Sequence, residues 1–219
     1  MKTRDSNPPI TVLLVDDHPV VRDGYRRLLE SSPGMRVVAE AGDGETGCTQ
    51  DKKYTPNVVV LDLNMPGIGG LETIRRIKAQ RPQAHILVFS MHSNEIMIRR
   101  ALSAGATGYL TKQCGAGQME IAVRQVARGE RFIEAEQALG MALQKQTPSP
   151  EDPLGMLSPR EFQIFKMLAE GHSTSGIADI LSLSSKTVGV HHTNIMKKLG
   201  FRNNTQIVRM ALRCGIIES

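Results

Sequence analysis

Five polar residues stand where short apolar runs stop. Asp16 and Asp17 follow Ile10 to Val15, Asp62 follows Val58 to Leu61, Ser90 ends the run from Ile86 to Phe89, and Lys112 comes just after Gly108 to Leu110. Singly, each has an ordinary explanation: an aspartate after a strand often caps the next helix, a serine closes a turn, a lysine is solvated. Together they describe a reaction site. Three carboxylates at one edge repel one another unless a hard cation shares their oxygens, and Mg²⁺ with its waters suits such a set. A lysine and a hydroxyl beside a metal-bound carboxylate are partners for a phosphoryl group, which carries roughly −1.5 to −2 charge at neutral pH. Transfer of that group asks the protein for little beyond a nucleophile, a metal and positive charge.

These residues must be brought together by the elements that carry them. The apolar runs, with Val37 to Ala39 as another, are near-continuous rather than alternating, as strands covered on both faces are. Amphipathic stretches lie between them, such as Val20 to Glu30, Leu71 to Gln80, Glu95 to Ser103 and Met119 to Arg128, with Gly34, Gly42 and Gly105 marking ends. Five repeats of strand then helix predict an open five-stranded parallel sheet with helices on both faces. Ligands of such sheets bind beyond the carboxyl ends of the strands, where all five polar residues fall.

The chain has 219 residues, enough for two small domains, with 40% hydrophobic and 22% charged residues and a formal net charge of +5. That is the profile of an ordinary soluble globular protein, and it excludes disorder, collagen and coiled coil as the main architecture. No apolar run approaches the roughly 18 residues of a membrane span, and the first nine residues carry no apolar signal core, so a cytoplasmic protein with no membrane partner is expected. Cys48, Cys114 and Cys214 are odd in number and widely spread, which reads as reduced thiols. Three prolines within Pro148 to Pro153 bar helix and sheet, placing an interdomain linker at 129–153, between a first domain at 10–128 and a second at 154–219. The second domain carries eight basic against four acidic side chains, as a polyanion-binding surface requires.

Ser158, Pro159 and Glu161 supply the cap, first position and first turn of a helix whose apolar stripe is Phe162, Phe165, Leu168 and Ala169. Gly171 stops it. A short helix with Ile177, Ala178 and Leu181 follows, and Ser182-Leu183-Ser184 turns the chain into a third helix running to Gly200, a helix-turn-helix pattern. Wound at 100° per residue, the third helix buries Val188, Ile195 and Leu199 and turns Lys186, Val190, Thr193 and Lys197 outward, with Thr187 and Gly189 beside them. In a major groove, lysines meet phosphates or guanine, and valine or threonine methyls meet thymine. His191 and His192 flank the buried side and are read as packing residues.

Leu14-Val15-Asp16-Asp17-His18, Val60-Leu61-Asp62-Leu63-Asn64-Met65-Pro66-Gly67, Phe89-Ser90-Met91 and Gly108-Tyr109-Leu110-Thr111-Lys112 together resemble the receiver domain of bacterial two-component response regulators, from about Ile10 to Arg128. The resemblance implies a flavodoxin-like sheet in which Asp62 accepts phosphate from a sensor histidine kinase. It further implies that Asp16, Asp17, Asp62 and the backbone carbonyl of Asn64 ligate Mg²⁺, and that Ser90 and Lys112 contact the phosphoryl oxygens. Tyr109 is implied as the aromatic that turns inward as Ser90 moves. Residues 154–216 are similar to the LuxR-type helix-turn-helix of the NarL/FixJ subfamily, through Leu157-Ser-Pro-Arg-Glu161, Ile177-Ala178, Ser184-Ser-Lys-Thr-Val188, His191 and Asn194-Ile-Met-Lys-Lys-Leu-Gly200. This implies double-stranded promoter DNA with inverted-repeat half-sites as partner. It also implies a homodimer, at least when phosphorylated, with the last helix, Thr205 to Arg213, contributing Ile207, Val208, Ala211 and Leu212 to the dimer surface and to the core.

Three segments depart from the pattern. Gln113 stands where many receivers have proline, and Gly69-Gly70 where many place one acidic residue. Gly189 replaces a frequent lysine, deleting a contact and costing about 1 kcal/mol of helix propensity against alanine. The expected molecule is a phosphorylation-controlled transcription regulator and no enzyme beyond its own phosphoryl transfer and dephosphorylation at Asp62. An enzyme acting on small molecules is the rival from another class, but neither G-x-x-x-x-G-K-[ST] nor G-x-G-x-x-G after a strand is present. A second rival, made conceivable by Gly189, is an adaptor whose helix-turn-helix no longer binds DNA.

Overall fold

Six parallel strands form the sheet of the computed structural model, which describes residues 8–91, 93–134 and 154–217. They are β1 (Ile10–Val15), β2 (Met35–Ala41), β3 (Val58–Leu61), β4 (His85–Ser90), β5 (Gly108–Thr111) and β6 (Phe132–Ile133), in the order β2-β1-β3-β4-β5-β6. Residues of one strand alternate between two cores. Leu13, Val15, Val59, Leu61, Ile86 and Val88 meet α2 (Gly44–Tyr54), α3 (Gly69–Gln80) and α4 (Glu95–Ala104) on one face. Val12, Leu14, Val58, Val60, Leu87 and Phe89 meet α1 (Pro19–Ser31) and α5 (Ala116–Ala127) on the other. Burial on both faces is what makes the runs continuously apolar.

Five strands were expected and six are found. The sixth has two residues, too few for any periodicity, and its place is set by pairing of Gly108 with Phe132 and Tyr109 with Ile133. The carboxylate of Glu134 then accepts from the Thr111 backbone N–H at 3.2 Å and hydroxyl at 2.9 Å. The sheet thus continues past Arg128; most of the segment read as linker, 135–153, lies outside the described residues. Helix α2 carries Gly44 and Gly47, which weaken a helix signal. Close packing requires them: a Cβ on Gly44 would lie 2.1 Å from Thr73 Oγ1, and one on Gly47 2.9 Å from Val15 Cγ1.

The second unit consists of α6 (Pro159–Ala169), α7 (Thr174–Ile180), α8 (Ser185–Leu199) and α9 (Asn204–Arg213). Ser158 and Glu161 close the capping box expected at the start of α6. Between α7 and α8 the chain turns at Ser182 with φ of +52°. Val188 and Ile195 of α8 are fully buried with Phe165, Ile177, Ile207 and Ala211. Helix α6 lies on α3, Arg100 of α4 covers its Phe162 ring, and its apolar residues belong to the same core as Ile74, Met97 and Ile98 of the first domain. Arg100 of α4 donates to the backbone oxygens of Leu154 and Leu157, and Asn94 Nδ2 donates to Gly215 O at 2.9 Å. Among the described residues no helix is long and apolar enough to cross a membrane.

Candidate functional site

The ends of β1, β3, β4 and β5 bring the expected polar residues to one edge. Asp16, Asp62 and Ser90 are buried there, while Asp17 is partly exposed. Lys112 Nζ lies 2.7 Å from Asp16 Oδ2 and 2.7 Å from Asp62 Oδ2, so one ammonium links two strand ends. Burial opposes that charge, but the two carboxylates outweigh it and hold the lysine above its ordinary pKa. The backbone sets these positions: Asp62 N donates to Val15 O at 2.9 Å, Lys112 N to Ser90 O at 2.8 Å, and Asn64 N to Asp62 Oδ1 at 3.2 Å.

Ligand oxygens of Asp16, Asp17 and Asp62, with a His18 nitrogen, lie within 4.8 Å of one another. Asp17 Oδ1 is a buried atom with no hydrogen-bond partner; His18 Nδ1 is 2.9 Å away but not in hydrogen-bonding geometry. Three carboxylates against one ammonium, with an orphaned oxygen among them, fit a hard cation. Tyr109 is fully buried rather than out on the surface, and its hydroxyl shares a hydrogen bond with Ser90. Burial pushes its phenol well above the ordinary range.

Sequence reasoning missed Lys166. This residue of α6 donates to Asn64 Oδ1 at 2.8 Å across 102 residues of sequence. Burial lowers its pKa despite the opposing charges of Glu170 and Asp62. A cavity of about 690 Å³ opens between the domains, with Asp17, His18, Asn64, Met97, Phe162 and Lys166 on its wall. A solitary lysine on an amphipathic helix carries no signal in sequence; its partner is created by domain packing.

On α8, Lys186, Val190, Thr193 and Lys197 are all exposed, Val190 by 55%. Thr193 Oγ1 donates to Gly189 O at 3.0 Å, so its hydroxyl is tied to its own helix. Thr187 shares a 2.8 Å hydrogen bond with the capping Ser184 and is half-buried. Nothing lies within 4 Å of where a Cβ on Gly189 would stand. Of the residues expected at a dimer surface, Ile207 and Ala211 are fully enclosed by their own domain, and Val208 is half-buried. Leu212, 40% exposed, is the large apolar residue that α9 presents outward. His192 Nε2 lies 2.8 Å from Asn204 Oδ1, and His191 Nδ1 is buried without a hydrogen-bond partner.

Residues 12–124 match the response regulator receiver domain family, and residues 155–211 match the luxR family of bacterial regulatory proteins. Response regulator GacA of Pseudomonas aeruginosa is 37% identical over 211 residues, covering 96% of this chain and 99% of that one. Response regulator UvrY of Escherichia coli is likewise 37% identical, covering 96% and 97%. Among solved structures, RcsB from Salmonella enterica serovar Typhimurium, bound to promoter rprA in the presence of phosphomimetic BeF3⁻, is similar with a TM-score of 0.66 at 26% identity over 92% of this chain and 98% of that one. A LuxR-family two-component response regulator from Aurantimonas sp. SI85-9A1 is similar with a TM-score of 0.61 at 39% identity, over 63% of this chain and 99% of that one. With a receiver sheet carrying the acidic pocket and a helix-turn-helix following it, the chain belongs to the bacterial response regulators of the NarL/FixJ type, DNA-binding transcription regulators controlled through a receiver domain.

Proposed function

We propose that Asp62 accepts a phosphoryl group from a sensor histidine kinase and that this modification controls dimerisation and promoter binding in the cytoplasm. The observation that carries the reading is the buried ammonium of Lys112, 2.7 Å from both Asp16 and Asp62. An oxygen of Asp62 attacks phosphorus in line with the kinase's histidine nitrogen, whose bond to phosphorus breaks, and Lys112 and Ser90 bind the phosphoryl oxygens that arrive. Asp16, Asp17, Asp62 and the Asn64 carbonyl would hold Mg²⁺, which when bound neutralises charge on the transferring group. Water later attacks the same phosphorus, the Asp62 O–P bond breaks with its electron pair returning to the carboxylate, and inorganic phosphate leaves.

RcsB is seen on promoter DNA, and the similarity supports a DNA-reading role for the exposed face of α8. In this reading Lys186 and Lys197 meet phosphates and Val190 and Thr193 meet base edges, with Thr187 and Gly189 beside them. Two copies, joined through the α9 surface that includes Val208, would read inverted-repeat half-sites of double-stranded DNA. Intact-mass measurement after incubation with acetyl phosphate and Mg²⁺ tests the acceptor: wild type should gain one phosphoryl group and Asp62→Asn none. Equal gain by both proteins would refute the assignment.

A further inference from the structure

Lys166 belongs to the DNA-binding domain, yet its ammonium stands at the mouth of the receiver's carboxylate pocket. It donates to Asn64 Oδ1 at 2.8 Å, and the Asn64 backbone N–H donates to Asp62 Oδ1 at 3.2 Å. On its other side Glu170 Oε1 lies 3.7 Å away, and the lysine side chain is 17% exposed. We infer that Lys166 is a positioning residue for phosphoryl transfer at Asp62, holding Asn64 and adding positive charge at the pocket mouth, so that a side chain of the second domain helps set the rate of phosphorylation. The inference rests on the assignment of Asp62 as acceptor.

With acetyl phosphate, an oxygen of Asp62 forms a bond to phosphorus while the donor's bridging O–P bond breaks, and acetate leaves with that electron pair. The incoming donor is a dianion approaching three carboxylates. Lys112 alone is shared between two of them. A second ammonium held in a recess between domains is screened less than one on the open surface, so its field reaches the donor. Arg160, also on α6, provides the comparison: it donates to Gly67 O at 2.7 Å and to Leu181 O at 3.2 Å, supporting the same interface without touching Asn64.

The test measures initial phosphorylation of the full chain by intact mass, with Mg²⁺ and with either acetyl phosphate, a dianion, or phosphoramidate, a monoanion. Lys166→Met keeps the apolar stem and should slow reaction with acetyl phosphate about threefold to tenfold, the effect of a partly screened unit charge several ångströms away. The loss with phosphoramidate should be smaller, and raised salt should narrow both. Lys166→Gln, which keeps an N–H for Asn64 without the charge, should be slow in the same way. Lys166→Arg should be restored towards wild type, and Arg160→Met should keep the wild-type ratio between donors. Equal rates for wild type and both neutral variants would overturn the inference, as would Arg160→Met reproducing their loss with its donor dependence. Labelling of Asp62→Asn equal to that of wild type would instead overturn the acceptor assignment, and this inference with it.

Discussion

The guanidinium of Arg100 on α4 lies over the ring of Phe162 on α6, 4.0 Å from the ring centroid. The same side chain donates to the backbone oxygens of Leu154 and Leu157, so one receiver residue clasps the segment that opens the DNA-binding domain. A cation over an aromatic face in a partly dry interface contributes about 1 to 2 kcal/mol. Arg100→Ala should therefore raise amide hydrogen exchange in both α4 and α6 without lowering exchange protection in β1 or β3. Unchanged exchange in α6 would show that the contact contributes little to docking.

Removal of Lys112 should expose the repulsion it offsets. Asp16 and Asp62 would remain buried without their shared cation, and breaking one side of a buried charged cluster costs about 3 to 5 kcal/mol. Lys112→Met should melt at lower temperature than wild type, and millimolar Mg²⁺ should recover part of the difference, because ligand binding to the folded state adds stability. The midpoint from calorimetry with and without Mg²⁺ checks this.

Acid should weaken the start of α6 through Glu161. Burial opposes its charge, but hydrogen bonds from Lys198 and from Ser158 outweigh burial and hold its pKa below the ordinary carboxylate value. A carboxyl depressed in the folded state contributes stability that is present above its unfolded pKa and is lost as pH falls through the folded one. Glu161→Gln should lower stability at neutral pH and flatten the fall on the acid side, read by denaturant unfolding as a function of pH. Ser158→Ala should cost about 0.5 to 2 kcal/mol through the lost cap.

The outer face of α8 should divide its work. Lys186→Ala should weaken binding to all sequences alike and shallow the salt dependence by roughly one unit of slope. Thr193→Ala removes the methyl that faces outward while the hydroxyl is tied to Gly189 O, and should change preference at one base pair per half-site by about 1 to 3 kcal/mol. Gly189→Lys has open space around it and should tighten binding while stabilising the helix by up to about 1 kcal/mol. Selection of binding sequences with each variant separates these outcomes: an altered motif for Lys186→Ala with an unchanged one for Thr193→Ala would reverse the roles.

What the sequence disclosed divides by range of interaction. Asp16, Asp62 and Ser90 were legible because each follows or ends a buried strand, and sheet topology gathers strand ends without further information. The cap at Ser158 was equally local. Strand β6 was not legible, since two residues show no period, and α2, though implied by the repeat of strand then helix, had no legible bounds because Gly44 and Gly47 weaken its signal. Lys166 was invisible because its partner, Asn64, is supplied by docking of one domain on another. Helix α9 illustrates the same limit: the resemblance gave its apolar residues to dimer surface and core together, and only packing shows that Ile207 and Ala211 are enclosed while Leu212 is exposed.

Control of DNA binding by Asp62 is tested most directly by fluorescence anisotropy on a labelled promoter fragment, comparing wild type and Asp62→Asn before and after acetyl phosphate with Mg²⁺. A ligand-driven switch requires the two states to differ in affinity, and a tenfold change corresponds to about 1.4 kcal/mol. The account predicts that phosphorylated wild type binds differently from the unmodified protein, while Asp62→Asn shows one affinity throughout. Equal affinity of fully phosphorylated and unmodified wild type would contradict it.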